Sequence, residues 1–545
     1  MRDFWHKIYQ KLDKETDRHV YYFDKNQRCA KSFQDFMLDV NKTITLLKEL
    51  SDNAELGKKI GIIGNTSYLW MVLDHACIRG GFQSVAIPET FSQEALDEVI
   101  STLNLNLILV DHSLINNFSF GTAKPVYYNV TKDFTGDILA IKESTVSFVS
   151  TENLIQEDFS IVFSSGTSEK VKYINRKFFK EEPQKKPNLF KKLKLYFQYR
   201  GSIWMNLRNK RNKIIIFLPF SHPMQRDFVR IGLANRMDIL LSNPENCIKH
   251  IMMEKPNIMI SIPPVYDAIA ELIEARLKKF TDKEKKLFNL FIKLGLNKKS
   301  DKHLLKKWFS KRLFEKVKKV YGGHADLFVT GSAPTKQSTL ESFYKVGIKV
   351  YEAYGQSELS DNIMNSQKHF KIGSVGKPPK DKVKIDENSE VLIKFDKKYD
   401  TINEKVLNVK DNYIHTGDSG YIDKDGFLFI TGRVDDVIVL ERGKKVHPLK
   451  LEKKLNQIPN VKASVVYSQN GHYINAFLFS TMNSPATIKE LVQKVNKELL
   501  DHERISNISI IDQEPSIENG LLTSTMKLKR KKVIRDYQNI ESISI

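Results

Sequence analysis

Lys59-Ile60-Gly61-Ile62-Ile63-Gly64 reads as a buried strand, and the segments on either side of it decide the fold. Before it, Phe33 to Leu50 carries apolar residues at three- and four-residue spacing, the pattern of a helix. After it, Ser67 to Gly81 returns to helix, Ser84-Val85-Ala86-Ile87-Pro88 to strand, Ser92 to Leu103 to helix and Leu107-Ile108-Leu109-Val110-Asp111 to strand. Such alternation predicts an α/β domain, a mainly parallel sheet covered by helices. Further strands are expected at Ile161-Val162-Phe163, Ile214 to Leu218 and Ile258 to Ser261, each ending in a polar or Pro-containing loop. Ligands on sheets of this kind sit beyond the carboxyl ends of the strands.

At 545 residues the chain exceeds what one hydrophobic core serves, so a large domain with a smaller companion is expected. A hydrophobic fraction of 41% with 28% charged residues points to a globular rather than a disordered chain. Cys29, Cys77 and Cys247 lie far apart, which predicts neither a disulfide framework nor a zinc site and fits a reducing compartment. Met1 to Lys7 lacks the pattern of a secretory signal, and no stretch approaches the roughly 20 apolar residues of a membrane span. The expected location is the cytoplasm, with peripheral contact at the inner membrane face left open.

Lys and Arg exceed Asp and Glu by 86 − 65 = 21, a balance that biased composition, nucleic acid, an anionic membrane or phosphorylated substrates would each explain. Two dense basic segments, Arg176 to Lys213 and Arg276 to Lys319, look like helical insertions. In the second, Leu287, Phe291, Leu294, Leu304, Leu305, Phe309, Leu313 and Val317 are arranged to form apolar stripes between basic faces. Those faces suit solvent or a membrane surface; no nucleic-acid reading motif accompanies them, and no nucleic acid is expected.

After Lys410 the texture changes to short strands and turns, with Tyr421 to Ile430 reading as a hairpin turning at Asp425-Gly426. Helices are expected near Leu449 to Gln457 and Ile488 to Leu499. The expected division is a large domain over residues 1–433 and a small α+β domain over residues 434–545.

Strand Ile161 to Phe163 runs into Ser164-Ser165-Gly166-Thr167-Ser168-Glu169-Lys170-Val171-Lys172, a hydroxyl-rich loop closed by a lysine, suited to wrapping phosphate oxygens. It is followed in order by Thr330-Gly331-Ser332-Ala333-Pro334, Tyr351-Glu352-Ala353-Tyr354-Gly355-Gln356-Ser357-Glu358, Tyr413-Ile414-His415-Thr416-Gly417-Asp418 and Thr431-Gly432-Arg433-Val434-Asp435. Near its C-terminal end the sequence carries Thr523-Ser524-Thr525-Met526-Lys527-Leu528-Lys529-Arg530. This succession resembles the adenylate-forming superfamily of acyl-CoA synthetases, peptide-synthetase adenylation domains and luciferases from about Ser32 to the end.

The resemblance implies that a carboxylate attacks the α-phosphorus of ATP, pyrophosphate leaves, and the acyl group passes to a thiol. It implies a phosphate loop at Ser165, Gly166, Thr167, Ser168 and Lys172, and Mg²⁺ held by Glu358 with Ser357 beside the α-phosphate. Tyr354 and Gly331 would flank the adenine, Gly355 would belong to the same nucleotide site, and Asp418 would accept the ribose hydroxyls with Arg433 beside the sugar. Lys527 would bridge the reacting carboxylate and phosphate where negative charge concentrates. Asp435 matches the hinge about which the small domain rotates, and Gly443 lies in the segment that lines the path of coenzyme A.

Leu218-Pro219-Phe220-Ser221-His222-Pro223 and the closing segment are most similar to the long-chain fatty acid–CoA ligases. An apolar tunnel gated at His222 would then hold a fatty acid, each buried methylene contributing about 0.8 kcal/mol; His222 equally suits a structural role. Two departures stand out: Glu169 replaces a glycine of the phosphate loop, where it would repel a triphosphate, and Arg442 takes a common glycine position. They keep two alternatives open, an acyl-AMP ligase serving an acyl carrier protein and a degenerate, non-catalytic member of the fold.

Overall fold

A computed structural model of the chain describes residues 2–24, 26–52, 58–114, 116–121, 123–128, 155, 158–163, 173–177, 211–298, 304–323, 326–356, 363–366, 369–379, 381–395, 408–441, 443–469, 471–481, 484–516, 518–523 and 526–545. The helix–strand alternation is realised closely. The helix Tyr68–Gly80 starts where the Ser67 side chain accepts the Trp70 N–H, and it ends at Gly81 in the left-handed region (φ 83°). The helix Gln93–Leu103 starts in the same way at Ser92. Strands form at Lys59–Ile63, Gln83–Ile87 and Leu107–Asp111.

These three strands pair in parallel within a six-stranded sheet that also takes Lys124–Tyr128 and Asp158–Phe163 in parallel, and ends in the antiparallel strand Tyr173–Lys177. An eight-stranded sheet has a parallel centre of His19–Asp24, Asp238–Leu241, Lys213–Ile216, Ile258–Ser261, Leu327–Thr330 and Val350–Tyr354, with antiparallel strands at both edges. The helices Phe33–Asp52, Tyr68–Gly80 and Pro223–Ala234 fill the space between the two sheets. There Phe36, Trp70 and Phe228 share one buried cluster with Ile60 and Ile62 of the first sheet and Ile214 and Ile216 of the second. A second cluster packs the opposite face of the larger sheet against Pro263–Lys278 and the basic insertion.

A five-stranded antiparallel sheet follows, in which Tyr413–Ile422 pairs with Leu428–Arg433 across the expected turn, with Gly426 at φ 82°. Gly376, at φ 103°, packs where any side chain would run into the Met364 carbonyl, which accounts for a glycine there. Beyond Arg433, a four-stranded mixed sheet of Val461–Tyr467, Ile474–Ser480, Ile505–Ile511 and Ile543–Ser544 is covered by Pro448–Leu455 and Pro485–Asn496.

The basic segments need correction in part. Arg176 and Lys177 belong to a strand, as does Lys213, because they complete sheet ladders; residues 178–210 lie outside the described set. The second segment is helical at Asp282–Lys293, Leu304–Leu313 and Glu315–Lys318. Of its expected stripe, Phe291, Phe309, Leu313 and Val317 are buried, whereas Leu294, Leu304 and Leu305 point to solvent. Among the described residues no helix is long and apolar enough to cross a membrane.

Candidate active site

Several motifs converge on the carboxyl ends of the eight-stranded sheet. Gly331 follows the strand Leu327–Thr330, with its N–H bonded to the Ser261 carbonyl at the end of the neighbouring strand. A side chain at Gly331 would press on the Ala353 carbonyl at 3.2 Å, a tight approach that favours glycine where the two strand ends adjoin. Tyr354 closes Val350–Tyr354, and Gly355, exposed, comes next.

The antiparallel sheet brings Asp418 to the same place. Asp418 pairs with Arg433 across the Tyr413–Ile422/Leu428–Arg433 ladder, and its buried carboxylate collects three donors. Arg433 Nη1 lies 2.9 Å from Oδ1; the Tyr354 hydroxyl at 2.7 Å and Gln356 Nε2 at 2.6 Å both donate to Oδ2. Burial works against the Arg433 charge, but the Asp418 carboxylate more than offsets it and holds the guanidinium above its ordinary pKa. Burial, then the Asp418 charge, pushes the Tyr354 hydroxyl far above the usual tyrosine range, so it stays a donor. Gln356 was not singled out in the sequence; its place between Gly355 and Ser357 was the available signal.

The final segment reaches the same sheet from the other side. Thr523 and Lys527 are held together, with Thr523 N–H bonded to the Lys527 carbonyl at 2.8 Å and Lys527 N–H to Thr523 Oγ1 at 3.0 Å; Leu522 and Leu528 are bridged on either side. Met526, at φ 61°, packs on the cluster that contains Tyr266 and Phe328 beneath the eight-stranded sheet. His222, which precedes the helix Pro223–Ala234, feels the charge of Lys527. Burial first, and then the Lys527 ammonium, lowers the His222 imidazole to about 4 against the pull of Asp227, so it is neutral at neutral pH. Its Nδ1 is buried and has no hydrogen-bond partner among the described residues.

The helix Pro223–Ala234, which follows His222, buries charged as well as apolar side chains. Arg226, fully buried, binds both carboxylate oxygens of Asp74, Ser160 Oγ at 2.6 Å and Ser84 Oγ at 2.5 Å. Asp227 pairs with Arg176 at 2.9 Å and with Arg230 at 2.7 Å. Apolar packing near His222 comes from Phe220 against Trp70, ring centroids 5.0 Å apart.

Ser165, Gly166, Thr167, Ser168, Glu169 and Lys172 of the phosphate loop, and Ser357 and Glu358, lie outside the described residues, as does Arg442. Among the described residues no group of three or more His, Cys, Asp or Glu side chains is placed to hold a metal. Asp435 is exposed, two residues past Arg433. Gly443, at φ 71°, closes a turn on the Leu440 carbonyl at 2.7 Å with open space beside its Cα, so its conformation rather than crowding calls for glycine.

A family model described as AMP-binding enzyme matches residues 9–396, and a second, described as AMP-binding enzyme C-terminal domain, matches residues 435–543. The long-chain-fatty-acid–CoA ligase FadD15 of Mycobacterium bovis is 24% identical over 91% of this chain and 89% of that protein. The fold matches o-succinylbenzoate CoA synthetase of Bacillus subtilis, solved with ATP and magnesium ion, at a TM-score of 0.67 and 16% identity over 96% of this chain and 98% of that one. It also matches the adenylation domain of a carboxylate reductase from Mycobacterium chelonae at 0.71 and 16% identity, over 98% and 89%.

Proposed function

The chain belongs to the AMP-binding enzyme family, and we propose that it joins a medium- to long-chain fatty acid to AMP with release of pyrophosphate and then forms the coenzyme A thioester. The observation that carries this reading is the gathering of Gly331, Tyr354, Asp418 and Arg433 at the carboxyl ends of the eight-stranded sheet, and it is supported by a Lys527 charge near enough to bear on His222. The fatty acid is favoured by the Leu218 to Pro223 and Thr523 to Arg530 motifs and by similarity to ligases of that name.

In this reading Asp418 accepts the ribose hydroxyls. Among the described residues Oδ1 accepts from Arg433 alone, so a carboxylate oxygen with two lone pairs keeps capacity for a sugar hydroxyl. Tyr354 and Gly331 border the adenine, and Gly355 and Ser357 lead toward the phosphates. Ser165, Gly166, Thr167, Ser168 and Lys172 cradle the leaving pyrophosphate. Lys527 sits between the acyl carboxylate and the α-phosphate, where its charge stabilises the transition state. Neutral His222 beside it excludes a second positive charge and borders the acyl entrance. Bound magnesium, with Glu358 as its ligand, would neutralise phosphate charge.

The same reading divides the chain at residues 433 and 434. The small domain swings about Asp435 after adenylation, taking Lys527 away and bringing the Gly443 loop to the incoming thiol. The test is a panel of short, long and aryl acids assayed for pyrophosphate release and for a hydroxylamine-trapped adenylate, with and without coenzyme A. Long acids forming adenylate and coenzyme A-dependent thioester support it. Transfer to a carrier protein alone, or no adenylate from any acid, replaces it with the carrier-loading or the non-catalytic reading.

A further inference from the structure

The insertion at residues 276–319 has an outer surface that the site does not use. Its sequence holds 17 Lys and Arg against four Asp and Glu, a net +13 in 44 residues of a chain whose total is +21. Two of its helices are pinned together from within, Phe291 of Asp282–Lys293 meeting Phe309 of Leu304–Leu313 with ring centroids 5.7 Å apart. That contact turns other residues outward: Leu290 and Leu294 are 44% and 48% exposed, and Leu304, Leu305 and Trp308 are 81%, 52% and 50% exposed. Among them stand Lys283, Lys285, Lys286 and Lys293, all exposed.

We propose that this face docks on an anionic lipid bilayer. Lysines with exposed leucines and a tryptophan between them match both layers of such a surface. Ammonium groups meet lipid phosphates, aliphatic side chains enter the acyl boundary, and the amphipathic indole lies at the headgroup level. A nucleic acid would satisfy the lysines but leave the exposed leucines in water. A purely solvated basic face accounts for a single exposed leucine, but less well for four leucines and a tryptophan exposed on two packed helices. The inference is independent of which acid the protein activates, since it concerns a surface and not the reaction.

The test is cosedimentation of the full chain with vesicles of phosphatidylcholine alone and of equal parts phosphatidylcholine and phosphatidylglycerol, at low and high salt. Binding is expected only to the anionic vesicles, falling with salt, with a blue shift of tryptophan emission that Trp308→Phe removes. Leu304→Glu with Leu305→Glu, at positions too exposed to disturb folding, should raise the lipid needed for half-binding by about tenfold or more while the thermal melt stays put. Equal binding by that double variant, binding to neither vesicle, or loss of the double variant's affinity for duplex DNA instead would overturn the proposal.

Discussion

The Tyr354 hydroxyl donates to Asp418 Oδ2 across 2.7 Å, tying the last residue of a parallel strand in one sheet to the middle of an antiparallel strand in another. Asp418 is thus held by groups from both sheets, and Arg433 completes the clamp on its other oxygen. Asp418→Ala removes the acceptor from all three donors and, in the proposed reading, from the ribose. A hydrogen bond to a charged group contributes about 1.5–3 kcal/mol, so ATP affinity should fall by about tenfold to a hundredfold. Tyr354→Phe keeps the ring and should cost less than about tenfold. Titration of each variant with ATP decides it: wild-type affinity in Asp418→Ala would remove this carboxylate from the nucleotide site.

Lys527→Ala should separate the two half-reactions. Loss of one preorganised donor at a developing charge costs about 10²- to 10³-fold in rate, which is expected for adenylate formation, while thioester formation from a supplied acyl adenylate stays near wild type. The same substitution removes the second-largest influence on His222. Its imidazole should then titrate above about 4 yet, burial being the larger cause, still below the ordinary 6.5. An NMR titration of His222 reads this directly, and an unchanged value would place the ammonium elsewhere.

Local chemistry made much of this legible. Ser67 with Gly81 and Ser92 with Asn104 bracket their helices, and the apolar runs at Lys59, Ser84 and Leu107 became strands within one or two residues. The resemblance put Asp418 and Arg433 beside one sugar and Tyr354 at the adenine, but not the bonds that Asp418 accepts from both. Long-range electrostatics did not: Asp74 and Arg226 are 152 residues apart, and nothing local marks either as half of a buried pair. Arg176 misled because a basic residue at a strand end looks like the start of a basic helix until its ladder partner, Ser160, is known.

The buried pair yields a folding prediction. Arg226 is fully buried and Asp74 nearly so, and removing either alone leaves an uncompensated charge in the core. Asp74→Ala or Arg226→Ala should therefore destabilise by about 3–5 kcal/mol. Asp74→Leu combined with Arg226→Met, which removes both charges and keeps apolar volume, should recover most of that loss. Denaturant melts of the three proteins test the coupling, and a double variant no better than either single one would show that the network's hydroxyl partners, Ser84 and Ser160, matter more than the charges.

His75 predicts an acid limb to stability. It is 1% exposed, accepts or donates one bond with the Tyr9 hydroxyl at 2.8 Å, and burial is the main cause that lowers its pKa from 6.5 to about 4. With the folded value depressed, the unfolded chain binds the proton first as pH falls. The contribution is therefore complete above about 6.5 and is lost on the way down to about 4, amounting to about 3 kcal/mol. His75→Asn should flatten that part of the stability curve, and a variant with the wild-type slope would refute the assignment.

Glu352 predicts the opposite slope. Its carboxylate, 8% exposed on the strand Val350–Tyr354, accepts the Gly373 N–H at 2.8 Å. Burial raises its pKa from 4.5 to about 7 despite that bond and the charge of Lys453, which reaches it from the helix Pro448–Leu455 beyond Arg433. Burial in turn lowers the Lys453 pKa, with Glu352 opposing. The folded state keeps a proton that the unfolded chain releases, so the stability from Glu352 is present below about 4.5 and lost as pH rises through about 7. Lys453→Met removes the opposing charge, raises the Glu352 pKa further and extends the loss to higher pH. Melts from about pH 5 to about pH 9, taken as wild type minus variant so that the His75 limb cancels, should show that extension. Because Lys453 lies on the helix Pro448–Leu455 and Glu352 on the strand that ends at Tyr354, loss of the attraction between their charges should lower adenylate formation more than thioester formation; equal losses in both would mean that the attraction serves folding alone.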